Sequence, residues 1–350
     1  DPAIGVGTER ALLARTAPPA RMHGSARPVA RAIFSASLSP RDTAMALVGL
    51  AAGRVPTEIE ECASAEVDDH EPVTLEHGEG TLPVGRGVTL YAQWWRPCFS
   101  PRAAVAVVHG LKDHSARYGI FAERMVARGF AVHAFDLRGH GRSGGARAWV
   151  DAFDDYVDDL DAVVGCVRAR EKRVPVFVFG QGMGGTIAAV WALGRRRPVG
   201  GLVLSGAALR AGGLPTEARA TRLLSALAPR ARIFQLDLRR ASRDRGTVED
   251  TLRDGLVHHF PAPARTAKEL LDAMEYVDAG APRLDVPLLA MHGSSDVVTS
   301  PDGSRRFVER ASSVDKQLYL YDGLAHDLLH EPERVRVGRD VAEWLTERAR

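Results

Sequence analysis

With 350 residues, 45% of them hydrophobic, the chain can bury one large core, or a core plus a lid, and disorder of the whole is excluded. Its 46 basic and 44 acidic residues nearly cancel, so no chain-wide charge favours nucleic acid, and a small molecule is the expected partner. No membrane span is expected, because no apolar run reaches about 18 residues. Three widely spaced cysteines, Cys62, Cys98 and Cys166, argue against a disulfide framework or zinc site and for a reducing compartment.

Residues 1–70 differ from the rest: Ala, Arg, Ser and Pro dominate from Glu9 to Pro56, and acids are few before Glu58. Such a stretch reads as an organelle transit peptide or as a disordered basic tail, with a transient helical piece at 43–52. The expected setting is intracellular: plastid or mitochondrion for a transit peptide, cytoplasm otherwise. From residue 71 the texture changes. Residues 73–76 and 88–94 alternate as half-buried antiparallel strands do, predicting an opening hairpin. Short apolar runs at 104–108, 131–135, 174–179, 202–204, 287–292 and 317–321 predict buried strands. Helix-period segments separate them at 118–128, 153–170, 183–193, 303–311 and 334–348. Repeated strand–helix alternation implies an α/β fold over residues 71–350, a mostly parallel sheet with helices on both faces. Only residues 206–283 break the alternation: no buried strand is expected there, and helical spacing at 222–227 and 267–276 predicts a lid over the C-terminal strand edge.

The stretch Phe179-Gly180-Gln181-Gly182-Met183-Gly184-Gly185-Thr186 joins a strand run to a helix run. Its glycine spacing is that of G-x-S-x-G, the sharp turn that lifts a nucleophile above a sheet. Gly182 stands at the lifted position. Asp296, after the strand at 287–292, and His326, after the strand at 317–321, follow in the order acid then base that nucleophilic hydrolysis needs. Ordinary roles compete: a turn aspartate and an exposed loop histidine are common. His330 and Asp327 are weaker candidates for the base. The amides of Met183 and of Leu111, beside the flexible Gly110, are the expected oxyanion donors. Thr186, Ser205 and Cys166 lie on neighbouring segments, and none takes the place of the missing hydroxyl.

Metal and cofactor readings are weak. His258-His259 and the pair His109 and His114 lack zinc-protease spacing. Residues 138–141 fit a dinucleotide loop poorly, and the acidic run 151–161 reads as the solvated face and first turn of a helix. No cofactor and no metal are expected.

Five motifs in order give a more specific reading: the segments 109–118, 136–143 and 180–185, then Gly293-Ser294-Ser295-Asp296 and Gly323-Leu324-Ala325-His326. Together they resemble the monoacylglycerol lipase and lysophospholipase branch of the α/β-hydrolases. The resemblance implies a serine at the position of Gly182, acylated by a monoacylglycerol or related ester, with Asp296, His326, Leu111 and Met183 matching their family positions. It also implies that residues 206–283 are a cap that binds the acyl chain; peripheral contact of this lid with a membrane stays open. Ser242-Arg243-Asp244 resembles a short cap motif, whereas Gly255 and His258-His259 depart from it.

Three functions are then open. One is an ester hydrolase impaired by loss of its serine; another is a non-catalytic protein that binds an acyl lipid or small molecule; the third is a protein in which Asp296 and His326 activate water or move a proton directly.

Overall fold

The computed structural model describes residues 61–67, 70–210 and 215–349. The expectations for a transit peptide or tail and for a helix at 43–52 lie outside these residues. Antiparallel strands β1 (Glu61–Val67), β2 (His70–Pro83) and β3 (Thr89–Pro97) open the fold. The fold therefore begins before residue 71: β1 falls inside the segment read as tail, because a strand of small residues carries little hydrophobic signal. Six parallel strands follow: β4 (Ala103–Val108), β5 (Phe130–Phe135), β6 (Val176–Gln181), β7 (Gly201–Ser205) and, after the cap, β10 (Leu288–Gly293) and β11 (Lys316–Tyr321). They join the opening strands in one nine-stranded sheet of order β1-β2-β3-β5-β4-β6-β7-β10-β11.

Every residue of β4 is buried, yet the two faces remain distinct, because successive side chains in a strand point oppositely. Ala104, Ala106 and Val108 join the core under helices α2 (Asp154–Arg170) and α3 (Met183–Arg195). Ala103, Val105 and Val107 join the core under α1 (Gly119–Val126) and α8 (Arg334–Arg348). A tryptophan anchors each side, Trp191 on α3 and Trp344 on α8. The chain leaves β4 towards β5 on one side and returns to β6 on the other. The crevice above β4 and β6 is thus the switch point where open α/β sheets bind ligands.

The cap between β7 and β10 holds α4 (Pro215–Leu227), α5 (Arg245–Arg253) and α6 (Ala264–Gly280). Contrary to expectation it also contains strands, β8 (Arg232–Phe234) paired antiparallel with the buried two-residue β9 (Ala262–Pro263), too short to register as hydrophobic runs. Helix α7 (Pro301–Arg310) completes the sheet's cover.

Two further expectations fail. Cys98 is disulfide-bonded, which leaves Cys166 as the free thiol among the described residues. Sequence spacing says nothing about which strands end side by side, and the cysteines no longer argue for a reducing compartment. In the acidic run, Asp155 and Asp159 are buried rather than solvated. Asp159 accepts two hydrogen bonds from the Arg138 guanidinium, both 2.6 Å long, so the arginine of the 136–143 motif explains the carboxylate. No helix among the described residues is long and apolar enough to cross a membrane.

Candidate active site

The turn after β6 is built from glycines for steric reasons. Gly182 adopts φ 54° and ψ −117°, a conformation that L-residues adopt only under strain. At Gly184 a Cβ would lie 2.1 Å from the Val108 carbonyl oxygen, so only glycine lets α3 start this close to β4. The turn is held by Gly182 N–H donating to Ser205 O (3.0 Å) and by Gly182 O accepting from Gly185 N (3.1 Å) and Ala208 N (3.1 Å).

The loop after β4 is fixed by His109. Its Nε2 accepts from the Leu137 amide (2.9 Å), so the proton sits on Nδ1, which donates to Gly110 O (2.7 Å). Burial lowers the His109 pKa and keeps the ring neutral in that role. The amides of Leu111 and Met183 donate to no acceptor among the described residues, and both residues line the cavity that Gly182 and His326 also line.

Asp296 and His326 meet although 30 residues separate them: His326 Nδ1 lies 2.8 Å from Asp296 Oδ2. Asp296 is buried, and its other oxygen accepts from the amides of Val298 (2.7 Å) and Thr299 (2.9 Å). Burial pushes this carboxyl up, but hydrogen bonds from His292, His326 and the Thr299 amide outweigh it and hold the pKa well below the carboxylate range. For His326, burial lowers the pKa and the hydrogen bond and charge of Asp296 raise it, with a net rise. A Cβ placed on Gly182 would sit 3.3 Å from His326 Nε2. His326 Nε2 therefore faces the position that a side chain at 182 would occupy.

Sequence reading passed over three supports of this pair. Thr299 Oγ1 lies 2.8 Å from Asp296 Oδ2 and 2.9 Å from Gly206 O. His292 Nε2 reaches the same Asp296 oxygen at 3.0 Å while its Nδ1 contacts Ser304 Oγ at 2.8 Å. Gln181 Nε2 donates to His326 O (3.1 Å), tying the base loop to the turn. A threonine three residues after Asp296 was the one available signal, since an Asx turn has that spacing.

Other candidates take structural places. Thr186 Oγ1 donates to Ala208 O (2.6 Å), and Ser205 is buried at the end of β7. His330 pairs with Asp327 (2.8 Å) and Arg117 O (2.9 Å). His114 bonds Asp254 (2.8 Å), and His259 bonds Asp254 O (3.0 Å). Ser242-Arg243-Asp244 ties the cap to the base loop: Ser242 donates to His330 O (2.9 Å), Arg243 N to Glu331 (2.7 Å), and Asp244 caps α5. Among the described residues no group of three His, Cys, Asp or Glu could hold a metal ion.

Between the sheet edge and the cap lies a cavity of about 110 Å³ whose wall is mainly apolar, with Leu111, Met183, Leu236, Val248, Leu270 and Met274 prominent. The arrangement brings the Asp296–His326 pair and the amide-bearing residues Leu111 and Met183 to one largely apolar chamber. At the turn itself it offers no attacking atom.

The family profile for serine aminopeptidase S33 matches residues 100–333. The monoacylglycerol lipase of Mycolicibacterium smegmatis is 37% identical over 263 residues, covering 74% of this chain and 93% of its own. The monoglyceride lipase of Rattus norvegicus is 31% identical over 269 residues, covering 75% and 88%. The crystal structure of a monoacylglycerol lipase from Paleococcus ferrophilus matches with TM-score 0.66 and 29% identity, over 74% of this chain and 99% of that one. With this fold, and with a profile match over more than half of its length, the chain belongs to the serine aminopeptidase S33 family of α/β-hydrolases, among the monoacylglycerol lipase-like members.

Proposed function

We propose that this chain keeps the binding half of a carboxylic-ester hydrolase for monoacylglycerol- or lysophospholipid-like lipids and lacks the nucleophile that would turn them over. The observation that carries the reading is Gly182: the turn keeps its strained backbone and faces His326, but presents no hydroxyl. In a serine-type triad, loss of the nucleophile costs about six orders of magnitude in turnover. Asp296, His326 and the amides of Leu111 and Met183 take the family's acid, base and oxyanion roles in this reading, and the apolar cavity under the cap takes the acyl chain. Exposed Leu223 and Leu227 on α4 support peripheral contact of the cap with a lipid surface.

Titration with a fluorescently labelled monoacylglycerol tests the reading: saturable binding without glycerol release is expected. Absence of binding, or release at rates typical of a serine lipase, refutes it. His326 Nε2, open towards residue 182, favours one second reading, a water activated by the Asp296–His326 pair. Slow ester turnover that survives His326→Ala would rule it out.

A further inference from the structure

The residue beside the Leu111 amide carries two costs at once. Lys112 has φ 71°, and of the five non-glycine residues with positive φ among the described residues it alone lines the cavity. Glycine would adopt that backbone without strain. The Lys112 carbonyl accepts from His258 N–H (3.0 Å), a bond that glycine would make equally well. The backbone thus explains the turn but not the lysine.

The side chain is only 1% exposed, and its one hydrogen bond among the described residues, to Gln235 Oε1, is long at 3.4 Å. A buried ammonium normally has a carboxylate partner. The carboxylates around the cavity are engaged elsewhere. Asp113 bonds Arg117 (3.2 Å) and Tyr118 (3.0 Å), and Asp327 bonds Arg117 (2.9 Å) and His330 (2.8 Å). Asp237 caps the turn at Arg239 (3.1 Å), and Asp254, next to the cavity wall, bonds His114 (2.8 Å). Burial alone pushes the Lys112 amine down to about 8, with no neighbouring carboxylate pulling it back. Nearby, burial and the positive fields of Lys112, Arg232 and Arg147 lower the pKa of His258. Cations from the cap (Arg232) and from the loops after β4 and β5 (Lys112 and Arg147) thus meet around His258.

We propose that the ligand of this cavity is a single-chain acyl lipid bearing an anionic group, carboxylate or phosphate, and that the Lys112 ammonium is its counter-ion. The proposal rests on the acyl-pocket reading above and narrows it: a neutral monoacylglycerol would leave the ammonium buried without a counter-charge. An anion supplies the missing partner while the chain occupies the apolar wall. The strain at Lys112 and the burial of its charge are then both offset on binding.

Calorimetric titration of the full chain with dodecanoate, dodecyl phosphate and 1-monododecanoylglycerol, below their micelle concentrations, tests this. At least one anionic lipid should bind about tenfold or more tighter than the neutral one, as expected for a charge-assisted hydrogen bond, and the stronger of the two identifies the headgroup. Lys112→Met should abolish the preference, so that charged and neutral lipids bind alike. Lys112→Gly should lose the same preference while raising the unfolding temperature, which a purely structural lysine would not do. Equal binding of charged and neutral lipids, or a preference that survives Lys112→Met, overturns the proposal and leaves the acyl pocket standing. Failure of all three lipids to bind overturns both.

Discussion

Restoring a hydroxyl at residue 182 tests the site most directly, and the geometry sets what it should cost and gain. In Gly182→Ser the backbone must remain at φ 54° and ψ −117°, a strain of roughly 1–3 kcal/mol for a residue with a Cβ. The new Cβ lies 3.3 Å from His326 Nε2 and 3.8 Å from Gly110 Cα, so the imidazole must give by a few tenths of an ångström and no backbone must move. A serine there would meet His326, held by Asp296 at 2.8 Å, and the proposed oxyanion donors Leu111 and Met183 in the same cavity wall. If all of these parts are competent, recovery approaches the roughly million-fold, or ~8 kcal/mol, that a triad nucleophile provides. The assay is glycerol release from a monoacylglycerol, read beside thermal unfolding of Gly182→Ser and Gly182→Ala. Both variants should unfold at a lower temperature than the parent chain, and only the serine should turn over. Because the His326 pKa is raised above 6.5 by Asp296 against the effect of burial, and the base must be neutral, the recovered rate should climb as pH rises through that value. A folded Gly182→Ser protein that neither releases glycerol nor reacts with a fluorophosphonate would refute the reasoning.

Removing Asp159 leaves the buried Arg138 with only the more distant Asp155 at 3.7 Å, and Asp159→Ala should destabilise by about 3–5 kcal/mol; a denaturant-measured loss below about 1 kcal/mol would show the pair to be ornamental. Burial raises the Asp327 pKa, but the charge and hydrogen bond of His330 reverse this and leave it depressed. A depressed folded pKa contributes stability above the ordinary value of 3.8 that is lost as pH falls. Urea midpoints should therefore drop between pH 5 and 3, and Asp327→Asn should flatten that drop; an unchanged slope would assign it to other groups.

The sequence by itself determined whatever depends on neighbours along the chain. Alternation of short β-branched runs with helix-period segments gave the parallel sheet, since period and length are local properties. The glycine spacing around Gly182 and the strand-end positions of Asp296 and His326 pointed to three residues that the structure brings together, because this fold delivers such residues to one edge. Tertiary structure alone decided what depends on distant segments meeting. Asp159 became a buried partner only once α2 lay against the loop bearing Arg138, and Thr299 reached Gly206 O only once β10 stood beside β7. The bonded state of Cys98 and the isolated ammonium of Lys112 are of the same kind. A pattern in sequence reports which face a residue takes, whereas its partner is set by the return path of the chain, and at Lys112 that path supplied a cap but, among the described residues, no carboxylate.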